Sequence, residues 1–562
     1  MRFHGKKILI LFLISFFAIT GIHTQTLPDS LRKKIDSLFI ELNTPNSPGC
    51  AIGVVRNDSL IYAKGYGMAN LEYAIPNTPE TIFHMASVSK QFTAYSIVLL
   101  ARQGKLKLDD DIHKYLPWFP DFKEKITVRN ILNHTSGIRD QWQLLAISGT
   151  RIDDVITQKH IVKLLSKQQA LNFKPGEQYS YSNSGFTMLA EIVKSVTGQS
   201  LRQFTDSAIF KPLGMINTHF HDDYTEIVKN RSYSYERKDS LHFRNDILSY
   251  SNAGATSLFT NVDDMSKWIM NFYNPRVGDQ KDILQLTQKG KLNSGKELSY
   301  ALGIVSDTYK GWKQYSHGGG DAGYRTYITV LPDLKMGFIV FSNMGDFFPA
   351  GKAYEIADLF VKDSSHLIVA DKTEKRDSMS AILKDPRSLK KFSGRYIGEE
   401  GLEMGFETKA NKLHGLFNNQ DFLLIPEKKD TFSLLVDPDT KFIFKQKMMD
   451  TTADIVTPDK VYHLTKYVMD SSQSDKFLQA YTGIYYSPEL DCKYGIVLKD
   501  HHLVLTNSKY NDAKLSLIGK DHLMNDNWWI NHLRILRNNT GKITGFEVNS
   551  DRIMHLTFNK VE

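Results

Sequence analysis

The chain has 562 residues, of which 41% are apolar, 23% charged and 11% aromatic. This composition is typical of a folded globular protein and excludes bulk disorder, and the length indicates about three or four domains. The formal net charge of +8 falls to +5 when the three cations of a predicted signal peptide are subtracted, and this surplus is too small to indicate a nucleic-acid-binding protein.

The N-terminus begins with a basic stretch that contains Arg2, Lys6 and Lys7, followed by an apolar run of fifteen residues from Ile8 to Ile22. The run is shorter than the roughly 20 residues that span a bilayer. It predicts a cleaved signal peptide over residues 1–25 and a secreted or periplasmic protein, with an uncleaved anchor as the alternative. After cleavage, no integral membrane domain is predicted.

Residues 26–365 mix strand and helix patterns, as expected for an α/β or α+β domain. Alternating apolar residues around Asn57-Asp58 predict a hairpin. Apolar residues at helical spacing predict three helices, two of which end near Gly104 and Gly198. A turn at Pro332-Asp333 separates two predicted strands. The predicted segments are a hairpin over 51–70, helices over 87–104, 186–200 and 263–273, and strands within 325–343. The pattern indicates a sheet with helices packed on it.

A charged segment, 366–388, follows this domain and predicts a linker. Beyond it, "FSGRY" at 392–396 recurs as "YTGIY" at 481–485, an offset of 89 residues. Short alternating segments follow each copy. They predict two small all-β, barrel-like modules over 389–469 and 470–562.

The two cysteines, Cys50 and Cys492, are too few for a disulfide framework, and whether they pair is left open. The 18 histidines are scattered along the chain and show no cluster at metal-ligand spacing. The sequence therefore predicts neither a metal site nor a cofactor.

The stretch "FHMASVSKQFTA" contains two serines and a lysine at a predicted helix start. A serine hydroxyl needs a base nearby to become a nucleophile. Ser87 and Lys90 are three residues apart and share a helix face, whereas Ser89 is adjacent to the lysine. The positive end of the helix dipole would also lower the pKa of Lys90, as a lysine base requires. An isolated S-x-x-K is more often a helix cap, so other stretches must support it.

Three other stretches carry suitable chemistry. "YSYSNSGF" contains Tyr181, which could carry a proton if positive neighbours lower its pKa, and Asn183, which offers a donor and an acceptor. "HGGGDAGY" places His317 before glycines, whose backbone N–H groups can approach a substrate closely. The third stretch is "ITVRNILNHTSGI" at 126–138, in which His134 could be mistaken for a catalytic base.

These segments, in this order, resemble the serine β-lactamase and penicillin-binding protein superfamily, specifically its class C-like branch, over about residues 30–350. The resemblance implies a β-lactamase/transpeptidase-like domain with an antiparallel sheet, flanking helices and a helical subdomain. It implies that Ser87 becomes acylated, with Lys90 and Tyr181 as general base and proton relay. Which of the two takes the serine proton is left open.

The same resemblance implies the substrate-binding groups. Asn183 would bind the substrate amide, and His317 and Gly319 occupy the K-T-G or H-x-G position. The N–H groups of Ser87 and Gly320 would form the oxyanion hole. A histidine in place of lysine is a weaker, pH-dependent anion partner, which lowers the expected β-lactam hydrolysis.

The added β modules are similar to those of D-stereospecific aminopeptidases in the superfamily. We therefore expect a peptidase or amidase acting on D-amino-acid-containing or cell-wall-type peptides. An esterase or weak β-lactamase is the first alternative, and a non-catalytic penicillin-recognising binder or sensor is the second. The expected partners are small peptide, ester or lactam substrates without nucleic acid, and the oligomeric state is left open.

Overall fold

The structure is a computed structural model that describes residues 27–362 and 386–561, with short gaps at 399–400, 418–419, 429, 435–439, 448–449, 458–459, 469–472 and 519–520. The predicted signal peptide lies outside the described residues, as does the predicted linker up to residue 385. Within the described part of the chain, no helix combines the length and apolar character needed to cross a bilayer.

A six-stranded antiparallel sheet forms the centre of the first domain, in the strand order β10-β11-β12-β13-β1-β2. Its strands are β1 (Cys50–Arg56), β2 (Ser59–Tyr66), β10 (Val305–Tyr309), β11 (Trp312–Asp321), β12 (Tyr324–Leu331) and β13 (Met336–Ser342). β1 is buried on both faces. Ile52 and Val54 pack into one core cluster and Ala51 and Val55 into another, as the two-residue period of a strand requires.

Helices cover both faces of this sheet and form the adjoining helical region. They are α1 (Asp29–Ser37), α2 (Lys90–Arg102), α3 (Val128–Leu132), α4 (Gln141–Ile147), α5 (Gln158–Leu165), α6 (Asn183–Thr197), α7 (Leu201–Thr205), α8 (Lys211–Leu213), α9 (Val262–Asn271), α10 (Gln280–Leu286) and α11 (Pro349–Asp358). α6 ends where Gly198 adopts a φ of 74°, a left-handed conformation that glycine tolerates. α1 and α11 pack on one face of the sheet, and α9 packs on the other.

Small sheets join the helical region to the main sheet. The most relevant here has the strand order β5-β9-β6, because β5 leads directly into the Ser87 turn. The short strands are β3 (Met68–Asn70), β4 (Ile75–Pro76), β5 (Phe83–His84), β6 (His219–Phe220), β7 (Tyr235–Arg237), β8 (Phe243–Asn245) and β9 (Leu258–Thr260).

Two closed antiparallel barrels of eight strands each follow the first domain. The first barrel contains β14 (Gly394–Gly398), β15 (Glu403–Lys409), β16 (Lys412–Phe417), β17 (Gln420–Lys428), β18 (Thr431–Leu434), β19 (Lys441–Lys447), β20 (Asp450–Val456) and β21 (Val461–Tyr467). The second contains β22 (Gly483–Ser487), β23 (Cys492–Lys499), β24 (His502–Asn507), β25 (Tyr510–Ile518), β26 (His522–Met524), β27 (His532–Arg537), β28 (Ile543–Ser550) and β29 (Ile553–Lys560), preceded by a short helix, Asp475–Leu478.

The sequence repeat marks the first strand of each barrel. Gly394 and Gly483 have φ values of 142° and 147°, which residues with a Cβ rarely adopt. Tyr396 donates a hydrogen bond of 2.9 Å to the carbonyl of Phe392, four residues earlier, and Tyr485 makes the equivalent bond of 2.6 Å. The repeated glycine and tyrosine therefore perform the same structural task twice.

The predicted architecture is confirmed: a domain with an antiparallel sheet, flanking helices and a helical region is followed by two all-β barrels. The domain boundaries themselves stay predictions. Cys50 and Cys492 are both free, Cys50 in the main sheet and Cys492 in the second barrel.

Candidate active site

Ser87 lies on a 3₁₀ turn, Ala86–Ser89, that leads into α2. The sequence predicts a helix from Ser87, and the tighter turn brings residues three apart into closer alignment. Ser87 is the one residue between Thr81 and Leu100 that is not buried. Its predecessor, Ala86, has a φ of 47°, a strained value for a residue with a side chain. The fold thus leaves Ser87 partly exposed within a segment that is otherwise buried.

Lys90 is fully buried, and its Nζ atom has three polar neighbours. It lies 3.0 Å from Ser87 Oγ, 2.8 Å from Asn183 Oδ1 and 2.8 Å from the carbonyl oxygen of Ala255. Burial lowers the pKa of Lys90 to about 7, because the charged amine loses its hydration. The direction agrees with the expectation from the helix dipole, but burial is the main cause.

Tyr181 is close to this amine: Lys90 Nζ lies 4.8 Å from the centre of its ring. Burial raises the pKa of Tyr181 above its ordinary value, although Ser87 and Arg552 act in the opposite direction. The condition that positive neighbours lower this pKa is therefore not met, because loss of hydration outweighs their effect. At neutral pH, Tyr181 keeps its phenolic proton.

The ring of His134 packs against the ring of Tyr181, with the two ring centres 4.1 Å apart. Its Nδ1 accepts a hydrogen bond of 3.1 Å from the backbone N–H of Ser182. Burial holds the pKa of His134 well below its usual range, so the ring is neutral. These contacts position the Tyr181-Ser182 segment.

Asn183, at the start of α6, connects Lys90 to a carboxylate that the sequence did not point to. Its Oδ1 accepts from Lys90, and its Nδ2 donates a bond of 2.8 Å to Asp140 Oδ2. Asp140 also accepts from the backbone N–H of Asn183 at 2.8 Å and caps the N-terminus of α4. Both ends of the Asn183 amide are therefore occupied within the protein. An Asp just before a helix was the available sequence signal for Asp140.

His317 is buried on β11, and both of its ring nitrogens are engaged. Tyr300 donates its hydroxyl proton to Nε2 at 2.8 Å, and Nδ1 donates to the carbonyl of Gly318 at 2.6 Å. Burial lowers the pKa of His317 to about 3, so the ring is neutral at physiological pH. The prediction that His317 is a pH-dependent anion partner is wrong, because neither nitrogen is free and the ring carries no charge.

The glycines after His317 bring β11 against the Ser87 turn. A Cβ on Gly319 would lie 2.3 Å from the carbonyl oxygen of Met85, so only glycine allows this approach. β10 pairs with β11 only as far as Ser316, so it does not pair with the β11 edge from 317 to 321. The use of the Ser87 and Gly320 N–H groups as an oxyanion hole stays a prediction.

The second barrel contributes Arg552 to the site, from the turn between β28 and β29. The guanidinium lies 4.9 Å from the centre of the Tyr181 ring, and its Nη1 is 3.9 Å from Asp140 Oδ2. The backbone of Arg552 donates to Gln143 Oε1 at 3.0 Å and accepts from Asn172 Nδ2 at 2.8 Å. No local sequence signal identifies Arg552, since its role depends on how the barrel docks.

A buried ion pair holds the docked barrel in place. Arg139, between α3 and α4, lies 2.6 Å from Glu489 of the second barrel, and both side chains are at most 5% exposed. Arg139 also donates to the carbonyls of Met554 and His555 on β29, at 3.0 and 2.8 Å. The same loop region thus provides Asp140 to the site and Arg139 to the barrel.

Comparisons with known proteins agree with this architecture. The profile of the family described as Beta-lactamase matches residues 35–360. Penicillin-binding protein 4* of Bacillus subtilis is 25% identical over 68% of this chain and 87% of its own length. D-aminopeptidases of Gluconobacter oxydans and Brucella anthropi are 26% and 29% identical over 53% of this chain, which spans only 56% of their length.

Solved structures show the same fold. The octameric penicillin-binding protein homologue from Pyrococcus abyssi has a TM-score of 0.54 and 24% identity, covering 77% of this chain and all of that chain. The D-amino acid amidase from Ochrobactrum anthropi SV3 has a TM-score of 0.51 and 19% identity, covering 59% of this chain and 98% of that chain.

Proposed function

Because the chain belongs to the beta-lactamase family and is a serine hydrolase, we propose that Ser87 forms a covalent acyl-enzyme with small amide or peptide substrates that contain a D-residue. The observation that carries this proposal is the hydrogen bonding of Lys90. A neutral amine has two N–H groups and one lone pair, and the oxygens of Asn183 and Ala255 can only accept. They occupy both N–H groups, so the lone pair faces the Ser87 hydroxyl at 3.0 Å.

This arrangement supports Lys90 rather than Tyr181 as the base for acylation. The Ser87 hydroxyl gives its proton to Lys90 Nζ while Oγ bonds to the substrate carbonyl carbon. The resulting oxyanion is stabilised by the backbone N–H groups of Ser87 and Gly320. Tyr181, still protonated, passes a proton to the departing amine and is reprotonated from Lys90. Water then cleaves the ester on Ser87, which releases the acid and restores the hydroxyl.

The preference for D-residue substrates is supported by the D-aminopeptidases among the relatives. A cation also lies beside Tyr181: Arg552, whose side chain is 38% exposed. An accessible guanidinium favours substrates with a carboxylate near the scissile bond. His317 supplies no positive charge for a lactam carboxylate, which argues against efficient β-lactam hydrolysis.

Export to the periplasm or the medium is part of the proposal and rests on the predicted signal peptide. N-terminal sequencing of the protein recovered from the producing cell tests it. A mature N-terminus between residues 20 and 25 would support export, and an intact Met1 on cytoplasmic protein would contradict it.

The central test uses three chromogenic substrates: a D-alanine anilide, a nitrophenyl ester and a β-lactam. We expect the highest kcat/KM on the D-alanine anilide and complete loss of turnover in Ser87→Ala. Ser182→Ala is a matched control, because the buried Ser182 hydroxyl has no hydrogen-bond partner among the described residues and lies one residue from Tyr181. Equal activity in Ser87→Ala and the wild type would refute the proposal.

Mass spectrometry of the intact protein separates the enzyme from a sensor. During turnover of the D-amide, an adduct on Ser87 should form and clear within the assay. An adduct that forms and then persists after the substrate is removed would favour the penicillin-recognising sensor. The absence of any adduct together with turnover would contradict the acyl-enzyme itself.

A further inference from the structure

Two histidines and a glutamate converge at a place that the catalytic mechanism does not use. His219 lies on β6, His221 follows directly after this strand, and Glu226 lies on the next loop. One ligand atom from each residue lies within 4.8 Å of the other two. The sequence spacing H-x-H places both histidines on the same side of an extended chain, although the scattered histidines drew no metal prediction.

Three of the four imidazole nitrogens of these histidines are buried without a hydrogen-bond partner among the described residues. His221 is 1% exposed, and neither of its ring nitrogens is bonded; the buried Nε2 of His219 is also unpaired. Buried imidazole nitrogens without partners are costly, and in native proteins they normally bind a group, a water or an ion. An imidazole offers one nitrogen to an ion, so one nitrogen from each ring, together with a Glu226 oxygen, can face a single ligand.

The distances fit a metal ion better than direct hydrogen bonds. Glu226 Oε2 lies 3.6 Å from His221 Nδ1 and 4.0 Å from His219 Nε2, which is too long for hydrogen bonding. In a tetrahedral zinc site with bonds of roughly 2.0–2.1 Å, neighbouring ligand atoms are separated by about 3.3 Å. Small side-chain rotations would therefore close the site.

We propose that His219, His221 and Glu226 bind a divalent transition-metal ion, with Zn²⁺ as the best chemical match. Two imidazoles and one carboxylate are typical zinc ligands, and they leave the fourth position open. A cavity of about 460 Å³, lined by His219 and Glu226, adjoins the group and gives this position access to solvent.

The local charges are compatible with a cation. Arg202 pairs with both oxygens of Glu226, at 2.6 and 2.8 Å, and with Asp222 at 3.0 Å. The three residues together carry a net charge of −1, and Arg231, whose charge also acts on both histidines, brings the sum to zero. Each carboxylate oxygen can accept more than one bond, so Glu226 can still bind a cation.

The site is connected to the nucleophile through one small sheet. Residue 219 on β6 pairs with Phe259 on β9, and Phe259 pairs with His84 on β5. β5 ends three residues before Ser87. A bound ion should therefore stabilise the sheet from which the catalytic turn projects, without contacting substrate.

The test uses the full mature chain without a polyhistidine tag, stripped with chelator and titrated with Zn²⁺ against a competing indicator. We expect about one Zn²⁺ per chain after gel filtration and a higher thermal midpoint on binding. Less than about a fifth of an equivalent of bound Zn²⁺ would overturn the proposal, whatever the catalytic activity.

Variants locate the ion. Glu226→Gln and His221→Gln should weaken Zn²⁺ binding by at least about 100-fold and abolish the thermal shift. His501→Ala is the matched control, because His501 is exposed, adjoins His502 and pairs with Asp475, as adventitious surface sites do. Loss of binding in His501→Ala, with retention in the other two, would overturn the proposal.

A second measurement covers the case in which the ligand variants do not fold. Co²⁺ added to the stripped wild-type protein should give the strong visible absorption bands of a tetrahedral nitrogen–oxygen site. Only the weak bands of hexahydrated Co²⁺ would overturn the assignment. Neither outcome depends on Ser87, so failure here is distinguishable from failure of the proposed hydrolase function.

Discussion

The two barrels share a closed order of eight strands and a glycine and tyrosine on the first strand, whose tyrosine bonds a carbonyl four residues earlier. They differ in how they pack against the catalytic domain. The first barrel packs around a core cluster of its own. The core of the second barrel is continuous with that of the catalytic domain, and its last turn carries Arg552 into the active site. A repeated fold therefore need not have a repeated role, because the role depends on side chains outside the shared scaffold.

One pair of equivalent positions illustrates this difference. Tyr485 pairs across the strands with Tyr494, and Tyr396, its counterpart in the first barrel, pairs with Met404. The hydroxyl of Tyr494 donates a bond of 2.9 Å to the carbonyl of Ile147 in the catalytic domain. Met404 has no hydroxyl to donate. Four predictions, from the largest effect to the smallest, test how far this contrast extends.

Breaking the buried ion pair should have the largest effect. Arg139→Met leaves the buried Glu489 with the backbone N–H of Gln169 but without a charged partner, which should cost about 3–5 kcal/mol of stability. Urea denaturation followed by tryptophan fluorescence measures the loss. Lys409→Met in the first barrel is the control, since Lys409 and its partner Asp421 are exposed. Similar losses in both variants would remove the proposed asymmetry.

Removing the cation of the docked turn should alter activity rather than stability. Arg552→Gln should lower kcat/KM about 10- to 100-fold for a D-dipeptide with a free carboxylate, the range expected for losing a charged hydrogen bond. The same peptide with an amidated C-terminus should be affected much less. Arg534→Gln, which removes an outward-facing pair with Glu547 of the same barrel, serves as control. Equal losses on both peptides would contradict carboxylate recognition.

The pH–rate profile tests whether the barrel influences the base. Lys90 must be neutral to accept a proton, and its pKa is about 7, so acylation should increase as the pH rises through 7. Arg552 helps to lower this pKa, so Arg552→Gln should move the rising limb to higher pH. Lys409→Gln in the first barrel should leave the limb in place. A wild-type rate that is constant between pH 5 and 9 would exclude Lys90 as the base.

The repeated tyrosines should behave alike. Tyr396→Phe and Tyr485→Phe each remove one buried hydrogen bond to a carbonyl, at a cost of about 0.5–1.5 kcal/mol. Thermal denaturation of the two variants measures these costs side by side. If only one variant lost stability, the two tyrosines would resemble each other in sequence without contributing equally to the free energy of unfolding.

Helical spacing could select Ser87 over Ser89 as the partner of Lys90, because residues three apart share a helix face. The role of Tyr181 followed only from the resemblance of the ordered motifs to a known superfamily. The barrels could be predicted as well, because Gly394 and Gly483 repeat a local backbone requirement. The neutral state of His317 could not be predicted, since its pKa follows from burial, a property of the whole fold.

Other parts of the site depend on contacts between distant residues. Asp140 and Arg552 come together only through docking of the second barrel on the region that follows α3. Metal-ligand spacing was considered in the sequence, but the burial of His221 and the position of the loop bearing Glu226 became apparent only in three dimensions. Long-range packing therefore accounts for most of what the sequence did not reveal.

The position of Arg552 has a consequence for the time at which the enzyme becomes selective. Ser87 is synthesised 465 residues before Arg552, as 552 minus 87 gives. A nascent or proteolytically shortened chain that stops before β28 would hold every proposed acyl-transfer group but lack the Arg552 guanidinium beside Tyr181. Under the proposed function, such a chain would form the acyl-enzyme without selecting substrates that carry a carboxylate. Docking of the second barrel would therefore be the step that adds selectivity for a substrate carboxylate.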